Sequence, residues 1–204
     1  MARHVRLGQT ARLAVAVAAV GALLAGCTGT ATGPGRMDAY SAGQGGMMGA
    51  RSAMTAPLTC AAPADLPGQQ VTVTLTDMGM SRVMGGIAPM GALMSLTAQP
   101  TTVPAGEVSL VVDNLGWRTH ELVVLPLAEG AVAGQRVPSS DGKVDETGSL
   151  GEASSSCAAG EGEGIASGAV GWVTLTLAPG HYELVCNLTN HYANGMRQEL
   201  VVTG

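Results

Sequence analysis

The 204-residue sequence is poor in charged and aromatic side chains, and it has no phenylalanine. Charged residues make up 12% of the chain and aromatic residues 2%, while the hydrophobic share of 46% comes mainly from valine, leucine, alanine and methionine. The formal net charge of −5 excludes nucleic acid as an expected partner, because phosphate binding needs a basic surface. The sequence also shows no phosphate-binding loop, no Ser/His/Asp set, no paired-carboxylate site and no EF-hand spacing.

The N-terminus has the organisation of a bacterial export signal. Arginines occur at positions 3, 6 and 12, an apolar run covers 13–24, and the run ends in Leu-Leu-Ala-Gly-Cys27, which resembles a lipobox. We therefore expect residues 1–26 to be a lipoprotein signal peptide and Cys27 to receive lipid. The mature protein would be exported and anchored to the outer face of the bacterial cytoplasmic membrane. The alternative is an ordinary secretory signal in which Cys27 has no role.

A change of composition separates this signal from the rest of the chain. Residues 27–58 are rich in Gly, Ala, Thr, Ser and Met without apolar periodicity, which predicts a flexible linker that starts at the lipid anchor. The folded domain is predicted over residues 59–204. A linker of about thirty residues spans roughly 30 Å on average, so the domain would be free to reorient near the membrane.

The predicted domain contains many short strands and no convincing helix. Alternating apolar and polar residues, with Gly and Pro between the runs, indicate strands at 70–77, 93–98, 107–114, 120–126, 170–177, 182–186 and 198–203. Residues 129–168 are rich in Gly, Ser, Ala and acidic side chains, which predicts a long loop with few regular elements. This pattern favours an all-β antiparallel sandwich.

A candidate metal site lies near the C-terminus. Cys186, His191 and Met196 follow a predicted strand with the spacing Cys-x₄-His-x₄-Met, and His120 begins another strand upstream. Two imidazoles, one thiolate and one thioether form the ligand set of a type 1 copper site, in which the methionine is a weak axial ligand. The alternative is a plain sandwich with a buried cysteine and surface histidines.

The chain resembles the cupredoxins, of the plastocyanin, azurin and sulfocyanin kind. The resemblance covers roughly residues 103–204 and rests on Gly180-His-Tyr-Glu-Leu-Val-Cys186, on the loop that ends at Met196, and on His120. The chain departs from the family pattern at Thr189-Asn190, where many relatives have Pro-Gly. The resemblance implies a Greek-key β-sandwich with one copper ion, cycling between Cu(I) and Cu(II), bound by His120, Cys186, His191 and Met196.

Four cysteines are present, and two of them have no role so far. If Cys27 is lipidated and Cys186 binds metal, Cys60 and Cys157 remain, and a disulfide between them is expected in an oxidising compartment. The alternative is two unpaired thiols.

The expected function is that of a membrane-tethered one-electron carrier, and not of an enzyme. A multicopper oxidase or nitrite reductase needs further copper sites, for which the histidines are too few. The redox partner would be a c-type cytochrome or an oxidase domain. The alternative function is an extracytoplasmic copper chaperone or buffer that delivers copper to an oxidase.

Strand parity makes further predictions about side chains. His120 and Cys186 continue inward-facing rows, so Glu121 and Glu183 should face solvent or the opposite side of the sheet. His181 should be exposed, and the acidic residues of the long loop should form a solvated surface. The Met-rich stretch 78–94 is expected to serve packing or partner contact, with a second copper site as the alternative.

Overall fold

Nine strands form two packed sheets in the part of the chain that the structure describes, which comprises residues 55–77, 91 and 93–204 of a computed structural model. These residues include no helix that is long and apolar enough to cross a membrane. The strands are β1 (Gln69–Asp77), β2 (Met94–Gln99), β3 (Thr102–Pro104), β4 (Gly106–Asn114), β5 (Leu122–Pro126), β6 (Gly151–Ala153), β7 (Val170–Leu177), β8 (Gly180–Val185) and β9 (Arg197–Thr203).

The β-sandwich predicted from the alternating runs is confirmed. One sheet has the order β2-β1-β4-β7 and the other has the order β3-β9-β8-β5-β6. Most neighbours are antiparallel, but β1 pairs with β4 in parallel, as does β3 with β9. The sheets are therefore mixed and not wholly antiparallel, because the chain crosses to the second sheet at β3 before it returns to the first at β4.

The main core lies between the two sheets and is built by alternation along the strands. Every second residue of a strand points to the same face, so each strand contributes one apolar row. The inward rows include Val71, Val73 and Leu75 of β1, Val108, Leu110 and Val112 of β4, Leu122 and Val124 of β5, and Tyr182 and Leu184 of β8. Cys186 extends the row of β8, as predicted, and belongs to the same core cluster.

The outer face of the second sheet carries a smaller core that the sequence did not predict. Val123, Leu125 and Val185 pack there with Val144 of the long loop and with Tyr192. The loop thus covers this face, and the strands β5 and β8 are buried on both sides. Glu183 lies on this opposite side of the sheet, one of the two predicted alternatives, but it is fully buried there.

The long loop is more regular than its composition indicates. It contributes the edge strand β6, and isolated bridges join Ser155 to Gly164 and Ala159 to Trp172. Most of its acidic side chains are exposed, as predicted, whereas Glu152 on β6 is half-buried. The loop combines a solvated acidic surface with a packed inner side.

The predicted disulfide is present between Cys60 and Cys157. Their sulfur atoms are 2.10 Å apart, their Cα atoms are 5.9 Å apart, and 97 positions separate them in the sequence. The backbone N–H of Val170 also donates a hydrogen bond to Cys60 Sγ, at 3.4 Å. The bridge therefore joins the segment before β1 to the long loop and to the start of β7.

Removal of this bridge should destabilise the domain strongly. A closed loop of about a hundred residues corresponds to about 4–5 kcal/mol in the chain-entropy model. We expect the Cys60→Ala/Cys157→Ala variant to lose stability of this order in urea unfolding followed by tryptophan fluorescence. The single variants should lose as much as the double variant, since each already removes the bridge. An unchanged unfolding midpoint would contradict a stabilising role for the disulfide.

Candidate metal centre

Three potential metal ligands meet at one end of the core. The ligand atoms of His120, Cys186 and His191 all lie within 4.8 Å of one another, and all three residues are buried. His191 Nδ1 is 3.2 Å from Cys186 Sγ, His120 Nδ1 is 3.9 Å from the same sulfur, and the two Nδ1 atoms are 3.1 Å apart. The structure thus brings together three of the four predicted ligands through the same ring nitrogens.

Backbone pairing fixes the position of His120. Its N–H donates to Ile165 O at 3.1 Å, and Ile165 N–H donates back to His120 O at 2.7 Å. The regular strand begins two residues later, at Leu122, so His120 stands just before β5 and not within it. The following residue, Glu121, donates its N–H to Cys186 Sγ at 3.3 Å. A histidine and a thiol from different parts of the chain are thereby held at a fixed separation.

The loop between Cys186 and Met196 is closed by its own hydrogen bonds. Cys186 N–H donates to Met196 O at 3.0 Å, and Met196 N–H donates to His191 O at 3.2 Å. His191 N–H donates to Leu188 O at 2.9 Å. Met196 is fully buried in the core cluster that contains Cys186. The fourth predicted ligand therefore belongs to the same closed loop as Cys186 and His191.

The departure from the family pattern at Thr189-Asn190 has a structural counterpart. Asn190 adopts a φ of 69°, in the left-handed region that Asn tolerates better than most residues other than Gly. Its N–H donates to Gly142 O at 3.0 Å. A Cβ atom at Gly142 would overlap Asn190 Oδ1 and lie 2.8 Å from Asn190 N. The long loop therefore braces the ligand loop by close backbone contact at this point.

A second brace is formed by Asn187, the residue after Cys186. Its Oδ1 accepts a hydrogen bond from Val144 N at 2.7 Å, and its Nδ2 donates to Val144 O at 2.9 Å. Its backbone N–H donates to Glu121 Oε1 at 3.2 Å. These contacts bind the long loop, the ligand loop and the residue next to His120 to one another. No sequence pattern predicts these contacts, because all three segments are irregular.

A buried carboxylate on the other side of His120 was also not predicted from the sequence. Asp77 Oδ2 is 3.0 Å from His120 Nε2 and accepts the backbone N–H groups of Trp117 and Arg118 at 2.8 and 2.9 Å. The alternation of inward-facing residues along β1 could have identified Asp77. Asp77 continues the inward row of Val71, Val73 and Leu75, where a charged residue is unusual unless it has partners.

Asn114 shapes the turn that carries these donors. Its Nδ2 donates to Arg118 O at 2.8 Å and to Ile165 O at 2.7 Å, and its Oδ1 accepts from Gly116 N at 2.9 Å. Asn114 is fully buried, and each of its side-chain polar atoms is hydrogen-bonded. The Trp117 side chain is half-buried, and the backbone N–H of this residue donates to Asp77 Oδ2.

Burial sets the protonation of two candidate ligands. Burial, with the proximity of His120 and Arg118, lowers the pKa of His191 to about 3, so this imidazole is neutral and can bind a metal. Burial and the nearby Glu121 raise the pKa of the Cys186 thiol to about 12. A metal that takes this sulfur as thiolate must therefore displace its proton, which couples metal binding to pH.

Two carboxyl groups beside the ligands are shifted in opposite directions. Burial and the neighbouring Glu152 raise the pKa of Glu121 to about 7. Burial alone would raise the pKa of Asp77 as well, but hydrogen bonds from His120 and from backbone N–H groups lower it on balance. Asp77 is thus a carboxylate at neutral pH. Arg118 is also buried, and within the described part of the chain its guanidinium nitrogens have no hydrogen-bond partner.

The donor set fits copper. Imidazole binds both oxidation states, a soft thiolate favours Cu(I), and a buried thioether adds a weak axial donor. Cys27 and most of the Met-rich stretch lie outside the described residues, while Met94 is a core residue of β2. His181 is exposed, as predicted, and contacts Glu199 at 2.6 Å, away from the cluster.

A family model and several solved structures match this chain. The family model described as the sulfocyanin (SoxE) domain matches residues 97–204, just over half of the chain. Auracyanin B is 20% identical over 74% of this chain and 99% of its own, with a TM-score of 0.43. Reduced rusticyanin is 19% identical over 68% and 82% of the two chains (TM-score 0.38), and auracyanin from the photosynthetic bacterium Roseiflexus castenholzii is 19% identical over 67% and 100% (TM-score 0.39). No curated protein sequence matches the chain.

The family match begins inside β2 and includes every proposed copper ligand, whereas Asp77 lies before it. Its span agrees with the resemblance read from the sequence, and the facing sheets and the His₂Cys cluster are what that resemblance implied. The chain belongs to the sulfocyanin (SoxE) domain family and is a cupredoxin-type blue copper protein whose cofactor is one copper ion.

Proposed function

We propose that the protein is a one-electron carrier that a lipid on Cys27 holds at the outer face of the cytoplasmic membrane. The observation that supports it most directly is the buried cluster of His120, Cys186 and His191. A copper ion held by these residues and by Met196 would supply a Cu(I)/Cu(II) couple. Cupredoxin families are electron carriers and not enzymes, and we expect the same of this chain.

The residues around the cluster suit a carrier because they restrict movement. His120 is fixed by Ile165 and Asp77, and the ligand loop is closed on itself and braced by Gly142 and Val144. Each ligand is at most 3% exposed, so the protein excludes water from the cluster. A site whose ligands cannot rearrange keeps one geometry through both oxidation states, which favours electron transfer over release of the metal.

The acidic surface suggests the charge of the partner. Asp141, Asp145 and Glu146 are exposed on the long loop that contacts the ligand loop, and the whole chain has a net charge of −5. Opposite charge on a partner would accelerate encounter, by an effect that weakens with salt. We therefore propose a positively charged partner, such as a c-type cytochrome or an oxidase domain.

Mixing experiments distinguish a carrier from a copper donor. Copper-loaded protein should exchange electrons rapidly with cytochrome c, and the rate should fall steeply as ionic strength rises. With an apo oxidase copper domain, the copper should stay on this chain. Loss of copper to the apo domain together with slow electron exchange would instead support a chaperone or buffer. The His181→Asn variant serves as a control. It should behave like the unmodified protein in both mixtures, since His181 is exposed and lies outside the cluster.

The lipid anchor is tested independently of the copper site. Replacement of Cys27 by alanine should release the protein from the membrane fraction or leave it unprocessed, because stable anchoring requires more than one acyl chain and this variant would have none. Cell fractionation and mass spectrometry of the mature N-terminus measure the result. Full membrane retention of a correctly processed Cys27→Ala protein would refute the anchor and leave the electron-carrier proposal untouched.

A further inference from the structure

Asp77 and His120 form a buried pair at the edge of the copper cluster. Asp77 is the last residue of β1, and its Oδ2 lies 3.0 Å from His120 Nε2, with the two side chains 1% and 0% exposed. The pair lies on the side of the imidazole opposite Nδ1, the atom that faces Cys186 and His191. Asp77 therefore contacts a ligand from behind and does not compete for the metal.

The carboxylate is held in place independently of the histidine. Its Oδ2 accepts the backbone N–H groups of Trp117 and Arg118, so the turn before His120 aims two fixed donors at it. Gly116 leaves the space that this arrangement needs. A Cβ atom there would overlap Asp77 Oδ2 and lie 2.9 Å from His120 Nε2. The backbone is therefore built around the carboxylate–imidazole contact.

The contact selects one form of the imidazole. A carboxylate oxygen accepts hydrogen bonds, so Nε2 carries the proton and Nδ1 keeps its lone pair for a metal. We propose that Asp77 is the positioning residue of the copper site. It locks the tautomer and orientation of His120, and its negative charge lowers the reduction potential. The inference rests on copper occupying the cluster of His120, Cys186 and His191.

The charge should act on the two oxidation states unequally. A negative charge behind the imidazole strengthens electron donation from Nδ1 to the copper ion, and it attracts Cu(II) more than Cu(I). Because the pair is buried, solvent does not screen this attraction. Asparagine at position 77 keeps one oxygen for the backbone donors and for Nε2–H but removes the charge. The charge and the hydrogen bond can therefore be separated by one substitution.

The test compares Asp77→Asn with Glu107→Gln in the full-length protein. Glu107 is exposed and lies seven positions before Asn114, the end of β4 that is near the copper site. This places it about 23 Å away along the strand, so its substitution removes the same charge far from the copper. Competition with chelators should show that Asp77→Asn weakens Cu(II) binding about 10–100-fold and Cu(I) binding much less. The reduction potential should then rise by about 60–120 mV, at 59 mV per tenfold change in the affinity ratio.

Two results would overturn the inference. One is a potential in Asp77→Asn equal to that in Glu107→Gln, with the visible absorption of both proteins intact. That outcome would refute Asp77 as a tuning residue but leave the copper site standing. The other is a nitrogen NMR spectrum of the copper-free wild-type protein in which His120 carries its proton on Nδ1, or in which the Nε2 proton exchanges freely with water. This second measurement decides the question even if Asp77→Asn does not fold.

Discussion

Replacing Cys186 with serine should abolish the intense visible absorption of the copper-loaded protein. The colour expected of this site arises from charge transfer between thiolate sulfur and Cu(II), and Cys186 is the only unpaired cysteine within residues 55–77, 91 and 93–204. A serine hydroxyl is a harder and far less acidic ligand, so copper affinity should fall by more than the roughly 10–100-fold typical of an outer-shell loss. Visible spectroscopy and chelator competition measure both effects.

Control variants separate the loss of a ligand from a loss of folding. Cys186 is fully buried in the main core, so the thermal unfolding of the metal-free serine variant must first show an intact domain. His191→Asn should lose the band, whereas His181→Asn should keep it. Met196→Leu should keep the band and change the potential, because the axial ligand is weak and tunes the site. A serine variant that folds and retains the band would refute the assignment of Cys186 as the thiolate ligand.

The copper site was predictable because its signal is local. Cys186, His191 and Met196 lie within eleven consecutive positions after an alternating strand, and the row that contains His120, Leu122 and Val124 follows from parity alone. The structure places His120, Cys186 and His191 together as expected. The disulfide was predictable for a different reason, since a separate role was expected for each of the other two cysteines.

The braces around the site were not predictable because they join segments that are distant in the sequence. Asp77 precedes His120 by 43 positions and Gly142 precedes Asn190 by 48, and no periodic pattern links either pair. The strands β3 and β6 are three residues long, too short for alternation to be recognised. The parallel pairing of β1 with β4 also depends on the path between the sheets, which strand patterns do not specify.

Glu183 shows most clearly which features strand patterns cannot predict. Its place in an alternating strand correctly puts it on the face opposite Tyr182 and Leu184, but alternation cannot tell whether a loop covers that face. The long loop does cover it, and Glu183 Oε1 accepts hydrogen bonds from Gly134 N at 2.6 Å and Tyr192 Oη at 2.9 Å. Glu183, which strand alternation places on the outer face of the sheet, is thereby enclosed beside the second core.

Arg136 completes this buried network. Its Nε lies 2.7 Å from Glu183 Oε2, and its Nη2 donates to Pro126 O at 2.7 Å. The Glu183 side chain is fully buried, whereas a quarter of the Arg136 side chain is exposed. The ion pair thus fastens the long loop to β8. Tyr192, which directly follows His191 and donates to the same carboxylate, connects the pair to the ligand loop.

Arg136→Ala should lower the free energy of unfolding by about 3 kcal/mol. The substitution leaves a buried carboxylate without its cation, and breaking a buried ion pair from one side typically costs 3–5 kcal/mol. We expect the low end of that range because Arg136 already keeps part of its hydration. Urea unfolding of the copper-free protein measures the change, with His181→Ala as control, since the exposed His181–Glu199 contact should contribute under about 1 kcal/mol.

A double variant identifies the buried charge as the cause. In Arg136→Ala/Glu183→Gln the uncharged Gln side chain still offers an oxygen to Gly134 N and Tyr192 Oη, but it no longer needs a cation. The double variant should therefore be more stable than Arg136→Ala alone, although it carries one substitution more. If the two losses simply add, the two residues are not coupled, and Arg136 stabilises the loop through its contact with Pro126 and its packing instead.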